Sequence, residues 1–301
     1  MNGASSKPNQ GAAGPLIPVL AVVGVGLIGG SFAAALRRGG GQVGRVLGVG
    51  RNAASLARAV ELGLIDEAVS AEDAAAHADL VFLATPVGSL QDMLARMLPH
   101  LRDATLLTDG GSTKAEVVDA ARLALGARIG QFVPGHPIAG AERSGPEAAD
   151  AGLYQGRCVI LTPLAENSAA AIALVRDAWL ACGAQVIDMD AGAHDRVLAS
   201  VSHLPHLLSS VYMEQVATAA DAATRLALAG SGFRDFTRIA AGSPEMWRDI
   251  FLSNRDAMLA ELAAVRAVLD RAERAIDGGD GAALLALLDT AAQARRNWRK
   301  E

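Results

Sequence analysis

Three stretches of this 301-residue chain set polar side chains where a packing pattern would place apolar ones. In Pro134-Gly135-His136-Pro137-Ile138-Ala139-Gly140, the proline and the glycines restrain the backbone and place His136 on a rigid turn. Histidine titrates near neutrality and is the usual general base for a hydroxyl, although a single histidine in a loop is often structural. In Thr108-Asp109-Gly110-Gly111-Ser112-Thr113-Lys114, Ser112 is either a hydroxyl for a substrate or the N-cap of the helical pattern that follows. The third stretch holds His194-Asp195-Arg196 and then His203-Leu204-Pro205-His206. His203 and His206, three apart, share a helix face. Metal binding is the rival reading there, but no acidic partner stands at ligand spacing, so no metal site is expected. Farther on, Arg234 and Arg238 lie four apart, as a cationic pair for an anionic substrate or as an ordinary solvated face.

The cofactor is written earlier in the chain. Gly24-Val25-Gly26-Leu27-Ile28-Gly29 follows an apolar run and opens a helical pattern. In that context the first glycine permits a tight turn, the second lets a pyrophosphate approach the backbone, and the third lets helix and strand pack closely. Gly24, Gly26, Leu27, Ile28 and Gly29, with the free N–H groups of the helix start, are therefore predicted to hold a dinucleotide. Thr85 and Pro86, directly after the run Leu80–Ala84, are assigned to the same site. The next strand ends Leu47-Gly48-Val49-Gly50-Arg51-Asn52, without the carboxylate that would bind the ribose 2′-hydroxyl of NAD. Arg51 stands where it would meet a 2′-phosphate, so NADP is the preferred expectation, with NAD the alternative.

The elements that must carry these residues follow from periodicity. Short β-rich runs at Val19–Val23, Arg45–Val49, Leu80–Ala84, Thr105–Thr108, Gln131–Pro134, Val159–Thr162 and Gln185–Ile187 alternate with helical stretches. The helical stretches are Ser31–Arg38, Ala53–Leu62, Gly88–Leu98, Lys114–Ala124 and Ser168–Cys182. That alternation predicts an α/β Rossmann-type domain with a mostly parallel sheet. After Asp188 the spacing is helical throughout, at Asp190–Thr218, Ala222–Leu228, Glu245–Ile276 and Ala282–Trp298. The expected organisation is a tail over 1–15, a dinucleotide-binding domain over 16–188 and an all-α domain over 189–301.

Composition narrows the class. The chain is 51% hydrophobic and carries 27 basic against 32 acidic residues, a net charge of −5, which disfavours a nucleic-acid partner. Cys158 and Cys182 make neither a disulfide framework nor a zinc motif, and a reducing, cytoplasmic compartment is expected. The uncharged run between Lys7 and Arg37 has the length of a membrane span, but Pro15, Pro18, Gly24, Gly26, Gly29 and Gly30 interrupt it, so no membrane partner is expected.

Taken together, Gly24–Ser31, Asp109–Lys114, Gly135–Gly145, Ser202–His206, Gly232–Ala240 and Met246–Asp249 resemble the prephenate dehydrogenase family, whose members act on prephenate or arogenate. The resemblance runs from about Val19 to Leu269. It implies a homodimer joined through the helical domain and oxidative decarboxylation of prephenate to 4-hydroxyphenylpyruvate in tyrosine biosynthesis. It implies that His136 accepts a hydrogen bond from the substrate's 4-hydroxyl, that Ser112 orients the same hydroxyl, and that Arg238 grips a carboxylate. It also implies that Glu142, His194, His206 and Trp247 line or gate the pocket. Gly50 departs from the family pattern, which has an acidic residue there, and this departure speaks against an NAD-only enzyme. Three other readings compete. Arogenate dehydrogenation has the same chemistry. A β-hydroxyacid dehydrogenase would need a catalytic lysine in the helical domain, and Asp188 to Trp298 contains none. A non-catalytic NADP-binding regulator would bind nucleotide without turnover.

Overall fold

The computed structural model describes residues 14–140 and 143–298. The first strands and helices alternate as β1 (Ile17–Val23), α1 (Leu27–Arg38), β2 (Val43–Val49), α2 (Ala53–Glu61), β3 (Glu67–Ala68), α3 (Ala71–His77) and β4 (Leu80–Leu83), of which β3 and α3 lie outside the elements the periodicity predicts. They continue with α4 (Leu90–Met97), β5 (Leu106–Asp109), α5 (Ala115–Leu125) and β6 (Phe132–Val133). These strands form one six-stranded sheet in the order β3-β2-β1-β4-β5-β6, with every pairing parallel. The order reverses beside β1, between β2 and β4, and that reversal is where an open α/β sheet leaves a crevice for a ligand.

Both faces of the sheet are covered, which is why its strands read as nearly continuous apolar runs. Along β1, Leu20 and Val22 face a core that holds Phe32 of α1, Phe82 of β4, Tyr154 and Trp179. Ala21 and Val23 face the opposite core, formed by Ala74 and Ala75 of α3, Leu94 and Met97 of α4, and Val117 and Ala121 of α5. In the first core the Phe32 ring centroid lies 4.5 Å from that of Phe82 and 4.6 Å from that of Trp179. Each such ring, once buried, contributes about 1.5–3 kcal/mol.

The expected sheet is divided in two. The strands β7 (Gly135–Pro137), β8 (Cys158–Leu161) and β9 (Gln185–Asp188) form a separate three-stranded sheet, with α6 (Ala169–Ala181) between β8 and β9. In it β7 runs antiparallel to β8, and β8 runs parallel to β9. The rigid turn expected around His136 is thus a short strand. His136 pairs with Ile160, and the N–H of Ile138 donates to the carbonyl of Cys158 at 2.8 Å.

The remaining elements are helical: α7 (Ala191–Leu198), a π-helical turn at Ala199–His203, α8 (Leu204–Ala217), α9 (Ala222–Ala227), α10 (Ser231–Thr237), α11 (Pro244–Ser253), α12 (Arg255–Asp277) and α13 (Gly281–Asn297). The chain divides into two compact units. One runs to Asp195 and includes Ala241–Ser253; the other comprises Arg196–Ala240 and the chain from Asn254 onward. The helical run read as continuous over Glu245–Ile276 is therefore two helices broken at Asn254, and α11 belongs to the sheet-containing unit. Among the described residues, no helix is long and apolar enough to cross a membrane.

Candidate active site

The glycine turn has the local geometry its spacing requires. Gly24 sits at φ +93°, and a Cβ there would lie 2.5 Å from the carbonyl oxygen of Ala84. A Cβ on Gly29 would lie 2.2 Å from the carbonyl oxygen of Gly24, so only glycine lets α1 start this close to the turn. At Gly26 a Cβ would meet nothing within 4 Å. The space there opens into a cavity of about 360 Å³ lined by Gly26, Leu27, Ile28, Thr85, Pro86 and Ser112, among others. These residues follow the C-terminal ends of β1, β4 and β5, the edge at which an α/β sheet binds its ligand. The open space at Gly26 and the helix start beside it suit a dinucleotide pyrophosphate.

Arg51 is exposed just beyond the end of β2. Its neighbour Asn52 is committed to α2, whose start it caps by accepting the Ser55 N–H at 3.0 Å. Of the three residues after β2, Arg51 alone carries charge.

The loop after β5 and the strand that carries His136 are tied by a buried ion pair. The side chain of Lys114 has 0% exposure, as has that of Asp109. The Lys114 ammonium donates to Asp109 Oδ2 and, at 2.8 Å, to the carbonyl of Gly135. Asp109 accepts the Gly111 N–H at 2.8 Å and the Gly135 N–H at 3.0 Å. Burial pushes the Lys114 ammonium below the usual lysine range, against the opposing charges of Asp109 and Asp195. One ion pair thereby fixes both the backbone on either side of Ser112 and the residue before His136. Next to Ser112, the hydroxyls of Thr113 and Ser253 are 2.7 Å apart, which holds the same loop to α11.

His136 is 8% exposed. Its Nδ1 lies 2.8 Å from Nε2 of His194, whose side chain is fully buried. Nδ1 of His194 lies 2.7 Å from Oδ1 of Asp195. Asp195 in turn accepts the N–H groups of Lys114 and Ala115, each at 2.8 Å. Burial raises the Asp195 carboxyl, but the bonds from His194, Ala115 and Lys114 outweigh it and leave the group below the usual carboxylate range. The cap on α5 therefore comes from a residue 80 positions away in sequence, and Ser112 is not that cap.

The other predicted residues fall as follows. Trp247 is partly buried on α11 with its ring 5.5 Å from Phe251, and Met246, Asp249 and Ile250 of the same helix line the cavity. Arg238 and His206 lie in the second unit, where the Arg238 charge acts on the His206 imidazole. Burial and that charge lower the His206 pKa despite its bond to the Ser202 carbonyl at 2.9 Å. Nδ1 of His203 lies 3.1 Å from the side-chain nitrogen of Asn254. Glu142 lies outside the described residues. Among the described residues, no group of three or more His, Cys, Asp or Glu is arranged to hold a metal ion. Asp109, Lys114 and Asp195 stand inside or beside the polar stretches of the sequence, but neither their type nor their spacing announces the ion pair or the cap.

A parallel sheet whose strand order reverses at a glycine turn, with a cavity at that edge, defines a dinucleotide-binding domain. Comparison with known proteins narrows this class. The family model described as prephenate dehydrogenase, nucleotide-binding domain, matches residues 32–188, and that described as prephenate dehydrogenase, dimerization domain, matches residues 190–290. A cyclohexadienyl dehydrogenase from Zymomonas mobilis is 38% identical over 273 residues, covering 88% of this chain and 91% of that protein. The crystal structure of prephenate dehydrogenase from Aquifex aeolicus in complex with hydroxyphenyl propionate and NAD+ superposes with a TM-score of 0.86 at 35% identity, covering 93% of this chain and 97% of that one. A Synechocystis arogenate dehydrogenase gives a TM-score of 0.79 at 30% identity, covering 93% and 100%. The chain belongs to the prephenate dehydrogenase family, and it is a dehydrogenase that uses a nicotinamide cofactor.

Proposed function

We propose that this chain catalyses the oxidative decarboxylation of prephenate to 4-hydroxyphenylpyruvate, with NADP preferred over NAD, in the cytoplasm. The observation that carries the reading is the buried pair Lys114–Asp109, which holds the Ser112 loop and the strand of His136 in fixed register. A hydroxyl donor and an imidazole held this way suit a secondary alcohol that must lose its proton as hydride departs. His136 takes the proton of the 4-hydroxyl, Ser112 orients that hydroxyl, and Arg238 binds a substrate carboxylate. The bound nicotinamide supplies the hydride acceptor. Departure of the ring carboxylate as carbon dioxide leaves its electron pair in the ring, which becomes aromatic, and the proton returns to the phenolic oxygen. The roles given to Glu142, His206 and Trp247 rest on the family resemblance.

Cofactor preference is argued from Arg51 and from the missing carboxylate after β2. A homodimer through the helical unit is argued from its exposed apolar side chains, among them Val211, Tyr212, Leu226, Leu228 and Phe236. Arogenate is the second reading, favoured by the likeness to the Synechocystis enzyme. The His136 role is tested by His136→Asn. It should cost at least about a hundredfold in kcat, and wild-type kcat/KM should fall as pH drops through the ordinary imidazole range. Near-normal turnover in His136→Asn removes the role.

A further inference from the structure

We propose that His194 and Asp195 are positioning residues that fix the tautomer of His136, leaving its Nε2 as the basic nitrogen. The inference rests on the reading of His136 as the base and deepens it. Asp195 accepts two backbone N–H groups, from Lys114 and Ala115, and those donors cannot reverse their roles. Such a carboxylate is an acceptor toward its third partner as well, so the 2.7 Å contact with His194 requires a proton on Nδ1 of His194. Neutral imidazole carries one N–H, which leaves Nε2 of His194 as an acceptor. The 2.8 Å contact between that atom and Nδ1 of His136 then requires the proton of His136 on Nδ1. Its lone pair is on Nε2.

The same line explains how charge is met when His136 takes a proton. The imidazolium then forms at Nε2–H while Nδ1–H stays bonded to His194, with the Asp195 carboxylate one ring further on. No proton needs to leave the line, and the two helix-start N–H groups keep Asp195 in place. Among the described titratable groups beside this strand, Asp109 and Lys114 are bonded to each other and to the backbone of Gly135, and Cys158 stands on the paired strand β8. Asp195 thus orients the base and caps α5, the helix that begins three residues after Ser112.

Nitrogen-15 NMR of the full chain labelled in histidine tests this directly, with the His136 signals assigned by their loss in His136→Asn. Above the imidazole titration, His136 should show a protonated Nδ1 and a bare Nε2. His194→Leu, which removes the acceptor, should abolish that single-tautomer pattern. It should also lower kcat by roughly the 10–100-fold that outer partners of a functional histidine carry and move the acid limb of kcat/KM, with the cofactor KM unchanged. His194→Gln, whose amide can donate to Asp195 and accept from His136, should largely restore all three. Should His194→Leu not fold, the wild-type spectrum still decides. A proton found on Nε2 of His136 overturns the proposal, as does a His194→Leu enzyme with unaltered turnover and pH profile while His136→Asn is inactive. Turnover surviving in His136→Asn would instead defeat the reading of His136 as base, whatever the tautomer.

Discussion

Lys114 illustrates how a single side chain serves the chemistry without touching it. An ammonium with no exposed surface has lost its hydration, and it is tolerated here because Asp109 and the Gly135 carbonyl replace the water. Asp109 is likewise satisfied by the N–H groups of Gly111 and Gly135. Removing one member of such a pair strands the other. Lys114→Met should therefore cost about 3–5 kcal/mol in denaturant unfolding. Its kcat should fall as well, because the Ser112 loop and His136 lose their common anchor. A Lys114→Met protein as stable and as active as the wild type would mean that the pair anchors neither.

At the scale of elements, the glycine turn separates two kinds of requirement. Gly29 is required by the fold, because its missing side chain is the space in which α1 meets the turn. At Gly26 the fold makes no such demand, because a Cβ there meets no protein atom within 4 Å, and the proposed dinucleotide is what would require glycine. Gly26→Ala should keep the thermal midpoint and raise the cofactor KM, whereas Gly29→Ala should lower the midpoint. Equal thermal losses in the two variants would contradict this division. The turn was legible in the sequence because its constraints are local, and so were β1 and β4, whose apolar runs state their own burial. Other elements were not. β7 is three residues long with a glycine and a proline, and it is a strand only because Cys158–Leu161 lies beside it. α3 is a seven-residue, alanine-rich helix whose start is set by Ser70, and it has too few turns to show a period. The contact of His136 with His194 spans 58 positions, and the cap of Asp195 on Ala115 spans 80. The residue types announced chemistry, but only the folded chain brings those particular side chains together.

For the whole molecule, the division of labour follows burial. The sheet-containing unit has a core on each face of its central sheet and holds the nucleotide turn, Ser112 and His136. The helical unit leaves Tyr212, Leu228 and Phe236 exposed, as expected of a domain that covers them with a second copy. It also carries Arg238 and His206, the residues proposed to meet the anionic substrate. The most direct test of the central claim is nicotinamide reduction by the purified protein with prephenate and with arogenate, each supplied with NADP and with NAD. Turnover of prephenate with release of carbon dioxide, faster with NADP than with NAD, is the predicted result. Turnover of arogenate alone would keep the chemistry and change the substrate, and faster reaction with NAD would remove the role of Arg51. A folded protein that binds nucleotide but reduces it with neither substrate would contradict the account.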